Sequence, residues 1–114
     1  MVSFLQLVST KVLGNIPKDS VYYNYVQSLI KRMQAHAETI MKGIRNYGIV
    51  ERSAADGGSV YAYEVDGFGK FRLYDDANLP SLLSLPYLGF VKHDDPIYLN
   101  TRALILSKAN PFYF

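Results

Sequence analysis

The sequence predicts a mainly α-helical chain with a small antiparallel β-hairpin sheet inserted around residues 49–74. Three observations predict it. Apolar residues recur at helical spacing near the N-terminus, again from residue 20 to residue 44, and again after Pro96. Between the second and third of these stretches the period drops to two, punctuated by the turn segments Asp56-Gly57-Gly58 and Asp66-Gly67-Phe68-Gly69. With 114 residues, 49% apolar and 19% charged, the chain fits one folded domain with a real core.

The first helix is expected over Val2–Leu13, on the spacing of Phe4, Leu5, Val8 and Val12, ending at Gly14-Asn15 before Pro17. Met1 leads straight into the apolar run with no capping residue, as in a piece cut from something longer. The second helix starts at Asp19 or Ser20. Its stripe of Tyr22, Val26, Leu29, Met33, Ala37, Ile40 and Ile44 marks one face for burial. Gly48 reads as its left-handed terminator. At ~25 residues and 1.5 Å per residue it would run about 40 Å, a length suited to bundles or rings of helical hairpins.

Three strands follow, Ile49–Ser53, Ser59–Val65 and Lys70–Tyr74. Alternation places Tyr61, Tyr63 and Val65 on one face of the middle strand and Val60, Ala62 and Glu64 on the other. Asn78 is the expected cap of a short helix with Pro80 in its first turn and Leu82, Leu83 and Leu85 facing inward, closed by Pro86 and Gly89. The last helix starts at Asp94 or Asp95 with Pro96 in its first turn. It buries Ile97, Thr101, Leu104 and Ile105 and stops at Asn110-Pro111.

Composition narrows the function. A net charge of +2 with Lys and Arg dispersed gives no basic patch, which argues against nucleic acid as a partner. The absence of cysteine removes disulfides, thiolate metal sites and a cysteine nucleophile. His36 and His93 are isolated and make no metal site, so neither a metal nor another cofactor is expected. The N-terminus lacks the basic region and cleavage site of a signal peptide. No apolar run approaches the ~18 residues needed to cross a bilayer, so no membrane association is expected.

Chemistry-bearing residues gather between Tyr61 and Gly89. Asp75-Asp76 supplies two carboxylates, the tools of glycoside hydrolysis. Neighbours leaving a strand point to opposite sides, however, and cannot easily straddle one glycosidic oxygen at the ~6.5–9.5 Å an inverting water requires. One Asp of the pair is therefore expected to cap the following turn and the other to face a ligand. Asp66 reads as a turn residue, while Glu64 either binds a hydroxyl or faces solvent. The 10 tyrosines, Tyr61 and Tyr63 among them, read either as packing residues or as a wall covering the apolar face of a sugar. Gly67-Phe68-Gly69 is too short for a phosphate loop, and no serine sits in a nucleophile elbow.

The run YAYEVDGFGKFRLYDDANLPSLLSLPYLG, followed by DPIYLNTRALILSKANPFYF, closely resembles glycoside hydrolase family 125. That resemblance implies part of an (α/α)6 barrel and a relationship to metal-independent, inverting exo-α-1,6-mannosidases. It implies a mannose-containing oligosaccharide as ligand, with Tyr63, Glu64, Asp75, Asp76 and Asn78 contributing to the rim of its pocket. The family's general acid lies in a motif upstream of this region and its general base well downstream. Neither motif occurs between Met1 and Phe114, so no catalytic residue is assigned. The expectation is a single partial catalytic domain spanning 1–114, inactive alone and prone to self-association through exposed apolar helix faces. The alternatives are a non-catalytic mannoside-binding module and a plain structural helical module.

Overall fold

The computed structural model of the chain describes residues 7–113, and its backbone packs as two compact units, Met1–Lys42 and Gly43–Phe114. Described residues are mainly helical, with two small antiparallel sheets.

In the first unit, Val2 to Gln6 of the expected first helix lie outside the described residues. The remainder is helical, first in a wider and then in a tighter form: a π-type turn spans Val8–Val12 and a 3-10 turn spans Leu13–Asn15. Asn15 Nδ2 closes the segment on Lys11 O at 2.6 Å. Helix α1 then runs Val21–Tyr47, 27 residues, and the boundary between the units falls within it. Ser20 is its cap, accepting the Tyr22 N–H at 3.2 Å.

The stripe expected to be buried on α1 is largely at the surface, a correction to the sequence reading. Tyr22, Leu29, Met33 and Ile40 are exposed, whereas Ile30 and Ala37 are the buried residues of this helix. These two stand seven apart on one line of the helix, so the covered strip is narrower than the apolar stripe. Gly48 also acts differently from expectation. Its φ is not left-handed. It ends α1 by donating its N–H to Ile44 O at 2.7 Å, and a Cβ there would stand 2.8 Å from that same oxygen. Close approach, not a positive φ, is what requires glycine.

In the second unit the expected three-stranded sheet divides in two. Strand β1 (Ile49–Val50) pairs with β2 (Val60–Tyr61), and β3 (Glu64–Val65) pairs with β4 (Phe71–Arg72). The expected middle strand therefore changes partner halfway. Ala62 N–H still bonds Gly48 O on the β1 side, while Tyr63 N–H bonds Arg72 O on the β4 side. The strict alternation of faces is lost with it. Val60 and Tyr61 are adjacent and both buried, because β2 is covered on both sides.

Helix α2 (Pro96–Ile105) forms as its local signals dictate. Asp95 caps it by accepting the Tyr98 N–H at 2.8 Å, and Pro96 takes the first position, where a missing N–H costs nothing. It ends at Ile105, before Asn110-Pro111, with Leu106 as its C-cap. Thr101 and Ile105 are its buried residues. The Thr101 hydroxyl accepts the Tyr61 N–H at 2.8 Å and donates to Ile97 O at 2.7 Å, tying β2 to α2. Tyr61, Leu82 and Ile105 form the core, and Phe90 meets Tyr61 edge to face at 6.0 Å. No helix among the described residues is long and apolar enough to cross a membrane.

Candidate functional site

The segment from Tyr74 to Leu82 forms a tight corner between β4 and a short 3-10 turn, Leu82–Ser84. Asp75 holds the inside of that corner. It is 2% exposed, its Oδ1 accepts the Ala77 N–H at 2.7 Å, and its Oδ2 accepts the Leu82 N–H at 2.7 Å. A carboxylate with both oxygens bound by backbone donors satisfies groups that would otherwise be orphaned. Asp75 thus caps the short turn from outside, seven residues away in sequence. Ser81, not Asn78, sits at the N-cap, its N–H held by Ser84 Oγ at 3.1 Å. That corrects the expected cap, and Leu79-Pro80 is a cis peptide just before it. Ala77 takes φ +60, a left-handed conformation that costs a non-glycine residue about 1–2 kcal/mol.

Asp76 faces the other way. Its Oδ1 accepts the Tyr63 phenol at 3.2 Å and the Asn78 N–H at 3.1 Å, and its Oδ2 accepts Asn78 Nδ2 at 2.8 Å. Hydrogen bonds from the Asn78 backbone and side chain hold its pKa below the ordinary aspartate value. The Tyr63 phenol shifts upward, through desolvation first and the Asp76 charge second, so it stays a donor. Its ring packs on Tyr74, with centroids 4.7 Å apart, and Tyr74 packs on Phe112 at 5.4 Å. The result is a half-buried aromatic shelf with an ionised acid and an amide at its edge. Such a set can cover an apolar C–H face and bond neighbouring hydroxyls.

Of the five residues singled out in the sequence, Tyr63, Asp76 and Asn78 are brought into direct contact, and Asp75 lies beneath them. Glu64 pairs with Arg72 at 3.3 Å on the β3–β4 hairpin, both side chains more than half exposed. It lines a cleft of about 680 Å³ with Asp66, Lys70 and Arg72. Asp66 is a turn residue, accepting the N–H groups of Phe68 and Lys70. Tyr74, Phe112 and Asn110 went unremarked as site residues in the sequence. They reach the site from flanking segments, and no local pattern marks them.

The family model described as metal-independent alpha-mannosidase (GH125) matches residues 4–114. A curated relative, the meiotically up-regulated gene 157 protein of Schizosaccharomyces pombe, is 60% identical over 78 residues, covering 68% of this chain and 15% of its own length. A solved structure of a metal-independent alpha mannosidase from Streptococcus pneumoniae, in a non-productive substrate complex with alpha-1,6-mannobiose, is 37% identical. It matches with a TM-score of 0.72, over 99% of this chain and 25% of that one. The chain therefore spans a quarter or less of the length of these two relatives. By sequence over nearly its whole length and by fold, the chain belongs to the metal-independent alpha-mannosidases of family GH125.

Proposed function

We propose that these residues form part of the (α/α)6-barrel catalytic domain of an inverting exo-α-1,6-mannosidase and supply the rim of its mannoside pocket. The Tyr63–Asp76–Asn78 cluster carries the reading: a phenol, a carboxylate and an amide bonded together beside stacked rings. In this arrangement Asp76 and Asn78 offer hydrogen bonds to mannose hydroxyls and Tyr63 covers a ring face. Glu64 contributes from the hairpin lip, and Asp75 contributes by holding the corner. Support comes also from the alpha-1,6-mannobiose in the Streptococcus pneumoniae relative. The reaction class, release of a terminal mannose by water attacking with inversion, follows the family resemblance. The acid and base it needs belong to motifs that this chain does not contain, so the 114 residues bind without turning over.

Titrating the isotope-labelled chain with α-1,6-mannobiose should shift the amides of Tyr63, Asp76, Ala77 and Asn78. Asp76→Ala should weaken binding about tenfold, the loss expected for one hydrogen bond to a charged group. Parallel incubation should release no mannose. Absence of shifts would leave a structural helical module, and mannose release would overturn the missing chemistry.

The apolar side chains exposed along α1 support a further part of this reading, association with a second copy of the chain. Sedimentation equilibrium should then give a mass above 12.9 kDa that rises with concentration. A constant monomer mass would refute it.

A further inference from the structure

Asn110, 4% exposed in the segment after α2, uses both atoms of its amide. Nδ2 donates to Asp75 O at 2.9 Å and to Ile105 O at 3.0 Å. Oδ1 accepts the N–H groups of Asp75 and Phe112, each at 3.3 Å. Two of these partners lead into the site. Asp75 is bonded through the chain to Asp76, which accepts the Tyr63 phenol. Phe112 packs on Tyr74, and Tyr74 packs on Tyr63. The contacts close a circuit from Asn110 through Asp75-Asp76, Tyr63, Tyr74 and Phe112, and back to Asn110.

An asparagine serving only to terminate α2 would need the bond to Ile105 alone. The bonds to Asp75 and Phe112 add nothing to helix termination. They do fix where the acidic corner and the aromatic shelf stand relative to each other. A pyranose presents its C–H face and its hydroxyls in one rigid geometry, so a site for it needs ring and acid held at a set separation. We propose that Asn110 is the positioning residue that sets this separation, cross-linking the two arms of the site from beneath. The role in sugar binding rests on reading the site as a mannoside pocket, whereas the circuit is a property of the free chain.

The test uses the 114-residue chain with isotope-labelled tyrosine, Tyr63 being assigned by its loss in Tyr63→Phe. In Asn110→Ser the Tyr63 titration should move down toward the ordinary value of 10.0, because the phenol loses first its desolvated setting on the shelf and second its contact with Asp76. Affinity for α-1,6-mannobiose should fall about tenfold, as for one misdirected hydrogen bond to a charged group. Thr101→Val, which weakens the fold outside the circuit, should leave the Tyr63 titration where it is. If Asn110→Ser does not fold, Phe112→Ala cuts the aromatic arm at a half-exposed residue and must move the same titration. Folded variants with Tyr63 unmoved overturn the proposal. Movement of Tyr63 in a chain that binds no mannobiose refutes the pocket reading alone and leaves the positioning role standing.

Discussion

Replacing Asp75 with alanine should cost the chain about 3–5 kcal/mol of folding stability, as one buried and one part-buried hydrogen bond to a charged acceptor are lost together. The Ala77 and Leu82 N–H groups both point at this carboxylate, at 2.7 Å each, and the residue is 2% exposed. Each bond of this kind contributes about 1.5–3 kcal/mol, and the deserted donors keep their desolvation penalty. Asp75→Asn should cost roughly half as much, since one oxygen remains to accept while the new NH₂ opposes the second donor. Urea unfolding followed by far-ultraviolet circular dichroism measures both. Domains of this size are stable by only about 5–15 kcal/mol, so the alanine variant should lose a large part of its transition midpoint. A loss below about 1 kcal/mol would mean that water replaces the carboxylate in the corner.

Thr101→Val is the second large effect, about 2 kcal/mol. The two side chains have nearly the same shape, so no cavity opens, and the change isolates the hydroxyl. That hydroxyl is fully buried and is the acceptor for the Tyr61 N–H at 2.8 Å. Valine leaves this strand donor facing a methyl group. Thr101→Ser keeps the acceptor and removes one methyl, so it should cost about 1 kcal/mol or less of cavity and transfer energy. If valine is tolerated better than serine in the same unfolding experiment, the hydroxyl is not what fastens β2 to α2.

Elements with local signals were legible in the sequence. Asp95 and Pro96 announce the start of α2, and Ser20 was one of the two caps named for α1. Asp66 and its glycines predict the turn that closes the β3–β4 hairpin. What depended on distant partners was not legible. The middle strand exchanges β1 for β4 because Gly48 and Arg72 meet it from different sides, which no period-two pattern can encode. The stripe on α1 shows which residues are apolar but not how much of the chain is available to cover them. Residue types at the candidate site were found in sequence, yet Asp75 and Asp76 look equivalent there. Their roles separate only once Leu82 and Asn110 take hold of one and Tyr63 of the other.

The left-handed Ala77 bears on what a sequence match at this corner means. Asp75 holds the bend, Ala77 takes a left-handed φ that glycine would adopt at less cost, and the Asn78 N–H closes the bend on Asp76. Two of the four residues in Asp75-Asp76-Ala77-Asn78, the two aspartates, thus have folding reasons to be what they are. Selection for a foldable chain would be enough to keep them in a descendant that had lost the reaction. The presence of this tetrapeptide in a chain is therefore no evidence of turnover. Retention of turnover is better judged from residues that the backbone does not need.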